Sequence, residues 1–415
     1  MHISIFVYGT WGDIRPHVVL GQALQKLGHE VQVVAEQGYE SWIRARNLDF
    51  YPLTTDANTF ARENAGVLDE NIIRQFQMMR KSMQPNLIQM GLEVLEATRE
   101  SDVLMTVEFG ISSLFDVIKA NNLRPLFINT FPLNFSYNFP SVIAPPSPSW
   151  FPFPQWYNWM SHSMVRRMQW LLFGRPGSEI AQKLGLPRST YNEFQAFVDA
   201  APALTIVSRH VFPHPPDWRE NWQVTGYLFD DDPGWTPRQD LLDFLAAGEP
   251  PVYLGFGSMP DSKPETTTRM TIEAVQRTGR RAIILTGWAG LGSENVPENI
   301  HILKYAPHNW LFPRMAAVVH HGGAGTTAAG FRAGVPTIIV PHTADQPYWG
   351  RRAHELGVGT APIPRKKLTA ENLAAAITEA TTNRTMQANA RTIGEKIRAE
   401  DGLAEAVKWV ERFLS

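Results

Sequence analysis

AAVVHHGGAGTTAAG, residues 316–330, is the stretch that decides the fold. Ala316 to Val319 read as a buried strand that ends at His320. Glycines at 322, 323 and 325 then break the pattern, and Thr326 and Thr327 open a helix. A strand passing through a glycine turn straight into a helix is the ligand corner of a doubly wound α/β sheet. Glycine lets a ligand approach the backbone, and a helix start presents unpaired N–H groups with partial positive charge. Gly322, Gly323, Ala324, Gly325, Thr326 and Thr327, with His320 at the strand end, are therefore a candidate diphosphate site. A glycine turn without a ligand is the alternative, and the convergence of two hydroxyls and a histidine weighs against it. His320 and His321 are strand neighbours pointing to opposite faces, which argues against a shared metal ion.

The alternation continues outward. VYLGFGS from Val252, RAIILTG from Arg281, NIHILKY from Asn299 and PTIIVP from Pro336 read as short strands with helices between them, giving a parallel sheet covered on both faces. VPHTADQPYWG follows the last of these and brings Asp345 and Gln346 to the carboxyl edge. Together a carboxylate and an amide accept from and donate to sugar hydroxyls. Capping of the next helix by Asp345 is the competing reading. Ser258, in GFGSM, falls at the same edge.

The first half opens as strand, loop, helix and strand: Ile3 to Tyr8, GTWGD, a helix from about Pro16 to Leu27, Gly28, then Val31 to Val34. Further strands are predicted at Val103–Val107, Pro125–Asn129 and Ala203–Val207, with a long helix over Asp69–Glu100 interrupted near Pro85. Phe131 to Phe173 is dense in proline and aromatics and reads as an insertion with little periodicity. Its aromatics either pack under a loop or form an adaptable wall of an apolar pocket. The predicted divisions are a first domain over 1–212, a connector over 213–236, a second domain over 237–395, and a last helix over 396–415 packing back on the first domain.

Composition narrows the function. A chain of 415 residues exceeds one ordinary core, so two domains are expected. A net charge of -2 argues against nucleic acid. Absence of cysteine excludes disulfides, thiolate catalysis and thiolate metal sites. No segment reaches the roughly 20 apolar residues of a membrane span, and no basic run marks anionic lipid. The N-terminal apolar run is strand length and lacks a signal-peptide pattern. A cytoplasmic, soluble protein with at most peripheral membrane association is expected.

GTWGD at 9–13, GFGSM at 255–259, TGW at 286–288, YAPHNWLFPRMAAVVHHGGAGTTAAGFRAGVP at 305–336 and PHTADQPYWG at 341–350 resemble the inverting glycosyltransferases of the two-Rossmann (GT-B) type. The likeness is closest to the branch of sterol glucosyltransferases and bacterial antibiotic and macrolide transferases. It implies two Rossmann-like domains facing across a cleft, with UDP-glucose as donor. It also implies a hydroxyl-bearing apolar acceptor (sterol, polyphenol, macrolide or lipid alcohol), and neither metal nor other cofactor. By the same likeness His320 and the turn from Gly322 to Thr327 hold the diphosphate, with Gly12, Ser258 and Trp288 also on the donor side. Asp345 and Gln346 hold the sugar, Tyr305 and Ala306 the base with His308 beside them, and Asp13 is the general base. Trp11, Glu108, Phe131 and Phe135 are the acceptor-side candidates.

Three departures from the plant enzymes stand out. Tyr305 replaces a tryptophan and His308 a glutamine. Val107, with Glu108 beside it, occupies the place of their helper aspartate, which a carboxylate base does not need. The chemistry suits Asp13: a base draws the proton from the attacking hydroxyl, typically worth 10²–10⁴-fold, while the helix start and His320 meet the charge growing on the diphosphate. Capping of the nearby helix is the alternative reading of Asp13.

Three rivals are weaker. A nicotinamide enzyme would use Gly9, Gly12 and Glu36, but GTWGD is not GxGxxG and Trp11 sits where close approach is needed. A sugar-nucleotide epimerase would need no acceptor. A non-catalytic nucleotide or lipid binder would not need Asp13.

Overall fold

The computed structural model describes residues 1–55, 72–231, 234–256, 264–285 and 296–415. The chain forms two compact units, Met1–Phe229 with Asp401–Ser415, and Asp230–Glu400.

In the first unit seven strands run parallel: β1 (His2–Phe6), β2 (Glu30–Glu36), β3 (Asp49–Leu53), β4 (Val103–Thr106), β5 (Arg124–Asn129), β6 (Ala203–Thr205) and β7 (Trp222–Val224). Their order is β3-β2-β1-β4-β5-β6-β7. Alternate residues Ile3, Ile5, Val31, Val33, Met105 and Ile128 join Ile14, Val18 and Leu24 of helix Trp11–Lys26 in one core. Ala406, Val410 and Leu414 of helix Gly402–Leu414 complete that core.

Several expectations are corrected here. The first helix begins at Trp11 rather than Pro16, because Thr10 and Asp13 close a capping box ahead of it. Helix Ile72–Ala97 continues through Pro85, its following turns anchored by buried Met90 and Val94. Much of the expected aperiodic insertion is a single helix, Pro154–Lys183. That helix carries apolar residues on its buried side (Val165, Phe173) and its exposed side (Met164, Leu171), which erases the contrast that periodicity relies on. β7 lies in the expected connector over 213–236 and pairs with β6 of the first sheet, and the division between the units falls after Phe229, within that connector.

The second unit holds β8 (Val252–Gly255), β9 (Ala282–Leu285), β10 (Ile300–Leu303), β11 (Ala317–His320) and β12 (Thr337–Ile339), all parallel, in the order β10-β9-β8-β11-β12. Leu254, Ile284, Val319 and Ile338 share one core with Leu373 and Ile377, while Tyr253, Ile283 and Val318 share another with Leu311 and Phe312. Both faces are therefore covered, as a parallel sheet requires. In each sheet the strand order reverses once, between β1 and β4 and between β8 and β11, and ligands of such sheets bind beyond the carboxyl ends at that switch. Among the described residues no helix is long and apolar enough to cross a membrane.

Candidate active site

In the second unit the switch point is occupied by the glycine turn. His320 pairs with Gly255 across β11 and β8 and is fully buried. The Gly322 N–H donates to His320 Nδ1 at 3.0 Å, so the proton of the neutral ring sits on Nε2. That Nε2 is buried without a hydrogen-bond partner. Burial, with His321 and His308 nearby, holds the His320 pKa well below that of an ordinary histidine, so the ring is a neutral donor at pH 7. Gly322 has φ 93, and a Cβ there would lie 2.7 Å from Ile339 Cγ2, so only glycine fits. Helix Ala324–Ala333 starts at Gly323 with no side-chain cap, leaving the N–H groups of its first turn to a ligand or solvent. The Thr327 hydroxyl is buried and donates to the Gly323 carbonyl at 2.9 Å, so it braces the turn, while Gly325 and Thr326 are more exposed.

Asp345 and Gln346 emerge at the same edge. Ala344 before them is left-handed, φ 55, an unusual conformation for a residue with a side chain. Asp345 stands at the N-cap position of helix Gln346–Glu355 but makes no cap bond; its Oδ2 accepts from Trp349 Nε1 at 2.7 Å. Gln346 Oε1 accepts from the N–H groups of His342 at 2.8 Å and Thr343 at 3.2 Å. A Cβ added at Gly322 would lie 3.2 Å from the Gln346 carbonyl, so this pair adjoins the glycine turn. Beyond β10, Tyr305 is exposed, Ala306 is buried, and His308 stacks on Phe312 with centroids 4.3 Å apart. Ser258 and Trp288 lie outside the described residues.

In the first unit the switch point holds GTWGD. Asp13 is in the first helical turn, half-buried, and its Oδ2 accepts from the Thr10 N–H at 2.9 Å and the Thr10 hydroxyl at 3.1 Å. Burial raises its pKa, and the two Thr10 hydrogen bonds oppose that rise. The capping reading of Asp13 is therefore geometrically real, but it engages one carboxylate oxygen and leaves Oδ1 outside the box. Gly9 has φ 146, and a Cβ there would meet Asp13 Oδ2 at 2.6 Å. The loop is fastened by the Gly9 N–H donating to Glu36 Oε1 at 3.2 Å and by the Tyr39 hydroxyl donating to the Gly9 carbonyl at 3.0 Å. Glu36, the residue a dinucleotide site would need for ribose, is thus turned onto its own loop. Gly12 is exposed, and Trp11 is partly exposed and packs edge-on against Tyr39 and Trp42.

Glu108 lies just beyond β4 and is buried. Its N–H donates to Asn129 Oδ1 at 3.0 Å, and its carboxylate is 3.6 Å from Arg166, which also pairs with Asp199 at 2.5 Å. Burial raises the Glu108 pKa against the pull of Arg166. Glu108 Oε2 and Asn129 Nδ2 are both buried without partners, an acceptor and a donor at the edge of neighbouring strands. Of the aromatic candidates, Phe131 is half-buried and Phe135 packs against Tyr137 and His162, whereas Trp150, Phe153, Trp156 and Trp159 project into solvent. The aromatics of this segment thus divide between packed positions and exposed ones.

The sequence reading missed His17, which is fully buried with Nδ1 2.6 Å from the Asp13 carbonyl; its i+4 spacing from Asp13 was the available signal. It also missed Asn129, Arg166 and Asp199, which meet only through tertiary packing. Among the described residues no three His, Asp or Glu side chains converge as a metal site.

Two family models divide the chain. Residues 3–122 match the glycosyltransferase family 28 N-terminal domain, and residues 271–413 the erythromycin biosynthesis protein CIII-like C-terminal domain. Over its full length the chain is 33% identical to a sterol 3-beta-glucosyltransferase of Arabidopsis thaliana, covering 68% of that protein. It is 32% identical to the O-mycaminosyltylonolide 6-deoxyallosyltransferase of Streptomyces fradiae, with 100% of this chain and 97% of that protein aligned. The chain belongs to this glycosyltransferase family. It spans 65% of a second Arabidopsis thaliana sterol 3-beta-glucosyltransferase and 27% of that of Cryptococcus neoformans, only part of the length of those relatives. Its fold matches the crystal structure of the glycotransferase of kitacinnamycin with a TM-score of 0.72 at 16% identity, covering 100% of this chain and 99% of that one. The resemblance read from the motifs and the parallel two-sheet architecture both hold.

Proposed function

We propose that this transferase moves glucose from UDP-glucose onto the hydroxyl of a rigid apolar alcohol, of the sterol or macrolide class, with inversion and without a metal ion. The observation that carries the reading is the buried, unpartnered His320 Nε2–H beside the open first turn of helix Ala324–Ala333. A donor left unpaired inside a protein is costly unless a ligand satisfies it, and a diphosphate oxygen does so. Peptide N–H groups and a neutral imidazole then stabilise the negative charge that develops as the sugar–phosphate bond breaks. Asp345 and Gln346 grip the sugar hydroxyls, and Tyr305 takes the base.

Asp13 Oδ1 accepts the proton of the acceptor hydroxyl as that oxygen attacks the anomeric carbon from the side opposite the diphosphate. Its raised pKa makes it a better base than an ordinary aspartate. The chain's likeness to sterol 3-beta-glucosyltransferases supports glucose and a sterol, and its likeness to the Streptomyces fradiae transferase supports a macrolide. A cytoplasmic location goes with this donor. The test is nucleotide release across UDP- and TDP-sugars against a panel of sterols, macrolides and polyphenols. Acceptor-dependent release with UDP-glucose supports the proposal; acceptor-independent conversion of the sugar nucleotide refutes it in favour of an epimerase. Activity is expected to survive excess chelator, and inactivation reversed by added metal would overturn the metal-free mechanism.

A further inference from the structure

Helix Pro154–Lys183 carries an exposed stripe that the catalytic reading leaves unused. Phe153, Trp156, Met160, Met164, Arg167, Leu171 and Arg175 follow one another at spacings of three or four, which aligns them on one side of a helix. Phe153, Trp156, Met164 and Leu171 are each more than half exposed, and Trp150, just before the helix, is 79% exposed. Phe151 lies within 6.1 Å, centroid to centroid, of Trp150, Phe153 and Trp156, so the aromatic end is a packed cluster and not a set of loose side chains. From Phe153 to Arg175 the stripe is about 33 Å long at 1.5 Å per residue.

Charge identifies what it fits. The chain has 40 Asp and Glu residues, yet none between Val117 and Ser178. Beside the stripe a groove is lined by Leu171, Arg175, Lys183 and Arg188, three cations against the single acid Glu179. Exposed tryptophans at the water boundary, a helical apolar face and an excess of flanking cations, of which Arg175 is paired with Glu179 at 3.3 Å, are the combination that lies on an anionic bilayer.

We propose that this face docks the transferase peripherally on anionic lipid, with the Trp150–Trp156 cluster inserted at headgroup depth and Arg167, Arg175, Lys183 and Arg188 against lipid phosphates. The helix lies along the surface and does not cross it. The inference stands apart from the acceptor assignment, because binding is read without turnover.

The test is sedimentation of the whole chain with phosphatidylcholine vesicles, with and without phosphatidylserine. The wild type pellets with the phosphatidylserine vesicles, and less so at high salt. The triple variant Trp150→Ser, Phe153→Ser, Trp156→Ser is expected to lose about tenfold or more in partition coefficient, since the inserted apolar area is gone. Should that variant be misfolded by thermal melt, the pair Met164→Gln and Leu171→Gln, in the middle of the stripe, carries the same expectation. Failure of the wild type to pellet, or unchanged binding by the folded variants, overturns the proposal. So does a wild-type dimer that these variants convert to monomer, which would make the face a contact between copies. A raised KM for a water-soluble acceptor with vesicle binding intact would equally overturn it, making the aromatics an acceptor wall.

Discussion

Asp13→Asn separates two roles that the structure superimposes on one carboxylate. Asn keeps the size and an acceptor oxygen for the Thr10 N–H and hydroxyl, so most of the cap survives; full loss of such a cap costs about 1 kcal/mol. The base is removed completely. Loss of a general base predicts a fall of about 10²–10⁴ in kcat/KM, or roughly 2.7–5.4 kcal/mol of barrier. The sign of the stability change follows from the pKa. A carboxyl whose folded pKa is raised contributes stability that is complete below the unfolded pKa and is lost as pH rises through the folded one. At pH 7 wild type has already lost that contribution, so Asp13→Asn melts close to wild type there, and falls further behind it as the pH is lowered.

The assay pairs nucleotide release with thermal melts at pH 7 and pH 4, and with UDP binding, which is expected to be unaffected. Thr10→Ala is the control: it removes the hydroxyl bond and keeps the carboxylate, costing about 1 kcal/mol of stability with much smaller loss of turnover. If Thr10→Ala were as inactive as Asp13→Asn, or if Asp13→Asn lost UDP binding together with its melt, the carboxylate would be structural and the base assignment wrong. In wild type the acidic limb of kcat/KM is expected above the 3.8 of an ordinary aspartate.

Removing the orphaned donor in His320→Ala is expected to lower kcat/KM by about 10²–10³, the usual loss for one preorganised donor to a developing oxyanion, and to weaken UDP binding by calorimetry. Because His320 stays neutral, it contributes no limb near pH 6.5 to the wild-type profile; a limb there that disappears in the variant would contradict this. Gln346→Ala frees the His342 and Thr343 N–H groups and is expected to flatten discrimination between glucose and other donor sugars; unchanged preference would remove Gln346 from the sugar site. Gly9→Ala drives a methyl into Asp13 Oδ2 at a left-handed backbone position, so it is expected to depress activity more than stability, and full activity would show that the loop relaxes without moving the carboxylate.

The second sheet was legible because its strands are short apolar runs separated by helices, and the glycine turn is contiguous in sequence. Each residue from His320 to Thr327 is adjacent to the next, so the local pattern already contains the geometry. The first unit was harder for two physical reasons. Thr10 and Asp13 start their helix ahead of Pro16, since a capping box outweighs a late proline as a start signal. Helix Pro154–Lys183 is apolar on both sides, so no period shows. The stripe at Phe153 to Arg175 was likewise hidden, because its cations are spaced by helical turns and form no run in sequence. The pairing of Glu108, Asn129, Arg166 and Asp199 joins four separate segments and has no linear signature.

Helix Gly402–Leu414 belongs to the first unit although the whole second unit precedes it in the chain. During synthesis the sheet of residues 1–229 emerges well before Ala406, Val410 and Leu414 are made, a delay of roughly 10–35 s at ribosomal rates of 5–20 residues per second. For that interval the nascent chain displays the apolar site that these side chains later fill. Chaperone engagement is therefore expected on the half-made polypeptide, and expression yield becomes sensitive to elongation speed through the middle of the message.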